Sequence, residues 1–302
     1  MNRFFCFILI FLGLIPFYGW SQVVPQNPLA VLAPPLKESL HLKGNTHLTR
    51  YLNEKAWNFL FPHRYGIGKK DEINHNPDFY SFKAFVSAAR LFPDFLSEGP
   101  PSVQKRELAA FLANIAQETS GGWEDAPGGY FKWGLYWLEE NDETAKDEYV
   151  DSTWKKYPAV PGKQYFGRGP KQFSWNYNYG QFSIAWYGVQ DTLLNEPDRL
   201  SKDPVLSMAS AIWFWMTPQR PKPSCHDIMV GKWIPNAQDS LKKRMPGFSS
   251  TVNVINGGLE CGKGIKSIRT AYRYAYYRYF CNYFKIDPGD HIECEDEIPF
   301  GK

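Results

Sequence analysis

The chain lacks the features that mark several large classes of protein. No Lys/Arg-rich tract occurs, and 34 basic against 31 acidic residues leave a net charge of only +3. Nucleic-acid binding calls for a basic patch or stripe to meet the phosphates, and none is encoded. Five cysteines are spread over 302 residues without a CxxC pair, so a zinc site of that type is excluded and no metal is expected. Neither an internal repeat nor a low-complexity block is present. Beyond the first 18 residues, no charge-free apolar run approaches the ~20 residues that a membrane-spanning helix needs. The Gly167 and Gly169 region lacks the Lys-Ser/Thr order of a Walker phosphate loop.

What is present starts with the leader. Asn2-Arg3 is a short basic start, Phe4 to Tyr18 is apolar, and Gly19-Trp-Ser21 puts small residues at −3 and −1 of a cleavage site. Residues 1–21 therefore read as a signal peptide, with a single membrane anchor as the alternative. Removal takes Cys6 and leaves four cysteines, Cys225, Cys261, Cys281 and Cys294. Export permits disulfides, and four cysteines allow three pairings. Residues 22–46, with Pro25, Pro28, Pro34 and Pro35, read as a linker or N-terminal arm. Residues 47–302 are expected to form the domain proper, large enough for a substantial core. The exported product is expected to be a monomer, free of the membrane, without a cofactor. Its aromatic content of 17% is unusual. Some of those rings build the core, and an excess also suits stacking on sugar rings.

Helical periodicity dominates, so the class is mainly α. Phe82, Phe85, Ala88 and Leu91 recur at helical spacing within residues 80–95, ending near Pro93. Ser102 is placed to cap a helix carrying Leu108, Phe111, Leu112 and Ile115, with Gly121-Gly122 as its stop. Asp203-Pro204 is a helix start leading into Leu206, Trp213 and Phe214. Within residues 270–284, Tyr272, Ala275, Tyr276, Tyr279 and Tyr283 form one stripe.

Two glutamates stand out. Glu118 lies three residues after Ile115, on the inward stripe of its helix and in the last turn. Burial and the carbonyl end of the helix both favour the protonated form, which suits a general acid. Glu140 lies in the acidic stretch Glu139-Glu140-Asn141-Asp142-Glu143, where an ionised base is favoured. A carboxyl pair with unlike surroundings is the minimum equipment for glycosidic hydrolysis. Taken singly, either residue is better explained by structure: an arginine-neutralised buried glutamate, or a solvated acidic loop. Downstream, Gly167, Gly169 and Pro170 imply a tight turn. Gln172, Ser174, Asn176 and Asn178 then place neutral polar groups beside aromatic rings, a surface suited to a sugar polymer.

Several ordered segments carry a more specific signal. They are Gln117-Glu-Thr-Ser-Gly-Gly-Trp123, Tyr165-Phe-Gly-Arg-Gly-Pro170, Ser174-Trp-Asn-Tyr-Asn-Tyr-Gly180, Trp213-Phe-Trp-Met-Thr-Pro-Gln219, Lys222-Pro-Ser-Cys-His-Asp227 and Val254-Ile-Asn-Gly-Gly-Leu-Glu-Cys-Gly262. Together they resemble family 19 glycoside hydrolases, the plant-type chitinases, over about residues 50 to 295. The resemblance implies a two-lobed lysozyme-like fold with a long substrate cleft. It also implies inverting hydrolysis of chitin or N-acetylglucosamine oligosaccharides, with Glu118 as acid, Glu140 as base and Ser174 holding the attacking water. Ser120, Gln172, Tyr177, Asn178, Gln219, Lys222, Asn256 and Arg273 fall on positions that bind substrate or orient the carboxylates. Cys261 and Cys294 match a bridged pair. Three positions depart from the family pattern. Gln117 stands where His is frequent, Glu139 where Arg is common, and Tyr136 where a disulfide cysteine is often found. The first two are expected to shift the pH optimum without abolishing activity. A peptidoglycan hydrolase on the same fold and a non-catalytic glycan-binding protein are the competing readings.

Overall fold

The computed structural model describes residues 35–41, 46–65, 79–140, 149–265 and 267–301. The signal peptide and most of the Pro-rich segment lie outside them, as do Asn141, Asp142 and Glu143. Eleven α-helices carry the described residues. In chain order they are α1 (Glu54–Leu60), α2 (Phe82–Ala89), α3 (Pro101–Glu118), α4 (Asn176–Tyr187), α5 (Asp191–Asn195), α6 (Arg199–Lys202), α7 (Pro204–Met216), α8 (Cys225–Met229), α9 (Ala237–Leu241), α10 (Phe248–Glu260) and α11 (Ile268–Phe284). Pairing of extended chain is limited to isolated antiparallel bridges among the described residues. The mainly α class expected from periodicity holds.

The helix α3 is the axis of the fold. Every residue from Glu107 to Ala116 is buried, so it is wrapped on all sides rather than along one stripe. Its alanines let neighbours approach closely, and α11 packs along it. Phe111 stacks on Phe85 of α2 at 5.7 Å and meets Trp215 of α7 edge-on at 5.5 Å. Three helices are thereby joined through one ring, and each such buried aromatic contributes roughly 1.5–3 kcal/mol. Leu36–His41, a 3-10 helix inside the Pro-rich segment, lies against α4.

Helix boundaries follow local chemistry where a side chain can cap. Asp203 accepts from the amides of Val205 and Leu206, with Pro204 at the first helical position, as its sequence implies. Ser102 does not cap α3. The helix already begins at Pro101, Pro100 is the capping position, and no side chain caps it. A proline needs no amide partner at a helix start, which lets the helix begin one residue before the serine. Residues 80–95 are helical only from Phe82 to Ala89, with Ser81 as cap. Arg90 to Phe95 continue as turns, so the helix stops four residues before Pro93. The stripe on α11 is also displaced. Thr270, Arg273, Tyr274, Tyr277, Phe280, Cys281 and Phe284 face the core. Tyr272, Ala275, Tyr279 and Tyr283 are half-buried, and of the expected five only Tyr276 is fully covered. Tyr272 and Tyr279 stack on Tyr130 and Phe131, and Tyr283 on Phe59.

Candidate active site

The end of α3 is tied to the segment that carries the second glutamate. Thr119, fully buried, donates from Oγ1 to the Ile115 carbonyl at 2.6 Å and accepts there from the Leu135 amide at 2.8 Å. Its carbonyl accepts from the amides of Tyr136 and Trp137, both at 3.0 Å. Gly121 faces the Tyr136 ring so closely that an added Cβ would lie 2.4 Å from Cδ1. Only glycine fits there, and the residues before Glu140 are drawn against the helix that ends at Glu118.

Glu118 is partly covered, with 14% of its side chain exposed, and Arg273 of α11 donates to its Oε1 at 2.6 Å. Sequence reasoning combined burial with the helix end to favour a neutral acid; the structure adds this guanidinium as an ionic partner. Arg273 is a buried hub. It also donates to Glu260 through Nε at 3.0 Å and Nη2 at 2.6 Å, and to the Asn114 amide oxygen at 3.0 Å. Burial opposes its charge, but Glu118 and Glu260 together raise its pKa further above the usual arginine range. For Glu260 burial likewise opposes ionisation. The charge and hydrogen bonds of Arg273, with the Asn256 amide, outweigh it and hold the carboxyl low. Asn256 donates to Glu260 Oε1 at 2.8 Å from a kink in α10, where its own φ/ψ of −142°/26° is non-helical.

Glu140 follows a short antiparallel bridge between Glu139 and Arg168, its amide donating to the Gly167 carbonyl at 2.8 Å. It is half-buried rather than fully solvated, and the Tyr149 hydroxyl lies 3.5 Å from Oε2. The turn expected at Gly167-Arg-Gly-Pro170 is present, with Gly169 at φ +73°. Gln172, itself at φ +49°, donates from Nε2 to the Gly169 carbonyl at 3.1 Å, and Ser174 Oγ donates to the Gln172 carbonyl at 2.8 Å. Asn178 reaches back to the Ser174 carbonyl at 2.9 Å. These three therefore form one cluster. Tyr177 stacks on Trp154 at 4.9 Å, and burial, aided by the Asp151 charge, pushes its hydroxyl up to about 12.

The remaining candidates frame the same helices. Ser120 Oγ lies 3.2 Å from the Tyr276 hydroxyl and accepts from the Gly122 amide at 3.1 Å. Gln219 and Lys222 form a bridge, and Lys222 Nζ donates to the Val254 carbonyl of α10 at 2.9 Å. Its burial lowers the lysine's pKa. Cys261 and Cys294 are bonded, whereas Cys225 and Cys281 are buried free thiols. Of the departures, Gln117 accepts from the Tyr130 hydroxyl at 3.3 Å, and Glu139 faces Arg168.

Three residues escaped the sequence reading. Glu260 and Asn114 complete the Arg273 hub, and Glu260 stood unassigned inside a quoted motif. Lys171 is buried, which lowers its pKa, while the charge of Glu118 works to raise it. No local pattern singles out a lysine beside a turn glycine.

A family model described as chitinase class I, of the family 19 glycoside hydrolases, matches residues 63–294. The chain belongs to that family. Endochitinase A2 of Pisum sativum is 43% identical over 258 residues, covering 85% of this chain and 76% of the relative. An endochitinase of Carica papaya is 45% identical over 223 residues, covering 74% and 89%. Among solved structures, chitinase C from Streptomyces griseus HUT6037 superposes with a TM-score of 0.62 at 28% identity, covering 84% of this chain and all of that one. The class IV chitinase from Zea mays gives 0.59 at 28%, covering 81% and 98%. The chitinase likeness thus spans both glutamates, the Arg273 hub and the disulfide.

Proposed function

We propose that the protein is an exported chitinase that hydrolyses β-1,4 bonds of N-acetylglucosamine polymers with inversion. The observation that carries this reading is Glu118 held through one oxygen by Arg273 at the end of α3, on a chain of the chitinase family. Glu118 gives its proton to the glycosidic oxygen as the bond to C1 breaks. Glu140 takes a proton from the water that attacks C1 from the opposite face. Ser174, fixed by its bond to the Gln172 carbonyl, helps hold that water. Inversion requires the two carboxyl groups to stand about 6.5–9.5 Å apart, leaving room for the water.

Ser120, Gln172, Tyr177, Asn178, Gln219, Lys222 and Asn256 bind the sugar chain or support the groups that do, in a cleft between two lobes. Arg273 orients Glu118 without entering the chemistry. Export rests on the leader at residues 1–21, and the catalytic domain on residues 47–302. Gln117 and Glu139 remove positive charge that relatives often carry beside each carboxylate, so the pH optimum is displaced while activity is kept.

The mature protein and its Glu118→Gln variant, incubated with N-acetylglucosamine hexamer and with peptidoglycan across pH, test the reading. Hexamer cleavage of inverted product configuration is expected, falling by roughly two to four orders of magnitude in the variant. Cleavage of peptidoglycan alone selects the muramidase reading. Binding without products at any pH defeats catalysis altogether.

A further inference from the structure

Glu139 stands beside the proposed base. It pairs across an antiparallel bridge with Arg168. The bridge is closed by the Glu140 amide on the Gly167 carbonyl at 2.8 Å and the Gly169 amide on the Leu138 carbonyl at 2.7 Å. In that arrangement the two bridged residues project to one face, and their side chains are close. Glu139 Oε2 lies 3.6 Å from Arg168 Nε. The nitrogen is buried and makes no hydrogen bond, so the carboxylate adds a second negative charge on that side of a guanidinium already paired with Asp198.

The other arms of Arg168 are occupied. Nη1 donates to the carbonyls of Gln164 and Phe166 and to the Tyr179 hydroxyl, and Nη2 to Asp198 at 2.6 Å. Its backbone exchanges two hydrogen bonds with Phe173, the residue before Ser174. Arg168 is therefore a fixed post, 2% exposed, joined to the Gln172–Ser174 turn on one side and to Glu139 on the other. Successive side chains in extended backbone point to opposite faces. An ion pair that holds Glu139 toward Arg168 turns Glu140 the other way.

We propose that Glu139 is a positioning residue for the proposed base: its ion pair with Arg168 sets the rotation of the bridge and hence where the Glu140 carboxylate stands relative to Ser174. The proposal rests on the hydrolase reading above. It gives the Glu at this position, where relatives commonly carry Arg, a local partner of opposite charge.

The test is Glu139→Gln, which keeps shape and removes charge, assayed on the hexamer and followed by amide hydrogen exchange. Expected is a kcat about tenfold lower with KM unchanged, because a small misplacement of a reacting group costs rate rather than binding. The Glu140 and Gly169 amides should exchange roughly threefold faster, and the melting temperature should move by no more than about 2 °C, as for a part-exposed ion pair. An unchanged kcat, a loss confined to KM, or unchanged exchange at both amides overturns the proposal. Should the parent protein cleave nothing, the hydrolase reading fails on its own, and the two amides still decide whether Glu139 clamps the bridge.

Discussion

Arg273 holds two carboxylates and an amide oxygen at once, from a side chain that is only 3% exposed. Truncating it to alanine leaves Glu118 and Glu260 without the guanidinium that donates to both, with only the charge of Lys171 nearby. Loss of one partner from a buried ionic cluster typically costs about 3–5 kcal/mol. Arg273→Ala should therefore lower the denaturant midpoint by that equivalent, beyond any effect on turnover; an unfolding free energy within about 1 kcal/mol of the parent would contradict the hub. At this scale the sequence was readable where a residue's role is local. Glu118 announces itself by continuing the apolar spacing of its own helix into the last turn. Arg273 entered only through family likeness, and Glu260 and Asn114 were not assigned. Their partners are contributed by α3, α10 and α11, and Glu118 and Arg273 are 155 residues apart in the chain. Periodicity carries no record of contacts made across such a distance. Glu139 is the opposite case: visible as a departure, yet meaningless until the bridge supplied Arg168.

Single helices show which signals are strong enough to survive packing. Asp203 caps α7 because a carboxylate at that position meets two free amides, a local bond that tertiary structure need not rearrange. Asp203→Ala should cost about 1 kcal/mol, read as a lower melting temperature without change in hexamer turnover. Ser102 is also a capping type but lost the position to Pro100-Pro101, whose fixed φ starts the helix earlier. The α11 stripe failed for another reason. The tyrosine stripe is not the face that α11 turns to α3: Arg273 bonds α3, and several of those tyrosines pair with Tyr130, Phe131 and Phe59. An aromatic-rich helix has two apolar faces, and periodicity alone cannot rank them. The junction of α3, α7 and α8 was likewise invisible. There Glu107 Oε1 accepts from Trp215 at 3.0 Å and lies 2.7 Å from His226 Nδ1.

Across the whole molecule, two buried groups set a common pH trend. Burial opposes the charge of His226, but hydrogen bonds and charge from Glu107, then Glu98, outweigh it and raise its pKa above the ordinary 6.5. Its contribution to stability is complete below 6.5 and is lost as pH rises through the higher native value. Glu297 sits where the C-terminal segment crosses α10, 4% exposed, accepting from Asn253 at 3.1 Å. Burial pushes its carboxyl from 4.5 up to about 7, against the pull of its hydrogen bonds and Arg244. The neutral form is the one the fold prefers, so its stabilisation is full below 4.5 and gone above about 7. Both trends run the same way: unfolding free energy should decline from mildly acidic to mildly alkaline pH. Glu297→Gln should flatten the lower part of that decline and His226→Gln the upper part, measured by urea unfolding across pH. A profile unchanged by either substitution would refute the assignment.

Tyr136 illustrates how a lost cross-link can be replaced by shape. The family resemblance puts a disulfide cysteine at that position; here a buried ring lies on the face of Gly121, and buried Thr119 ties the end of α3 to the same segment. The contact between the two glutamate-bearing segments is consequently made of packing and hydrogen bonds, none of which a thiol reductant can open. The one bond such a reagent would cut among the described residues joins Cys261 to Cys294, at the far end of α10. Production in a reducing cytoplasm would thus leave the Thr119–Tyr136 tie intact, and loss of the bond would be felt first at Glu260, the residue before Cys261 and a member of the Arg273 hub.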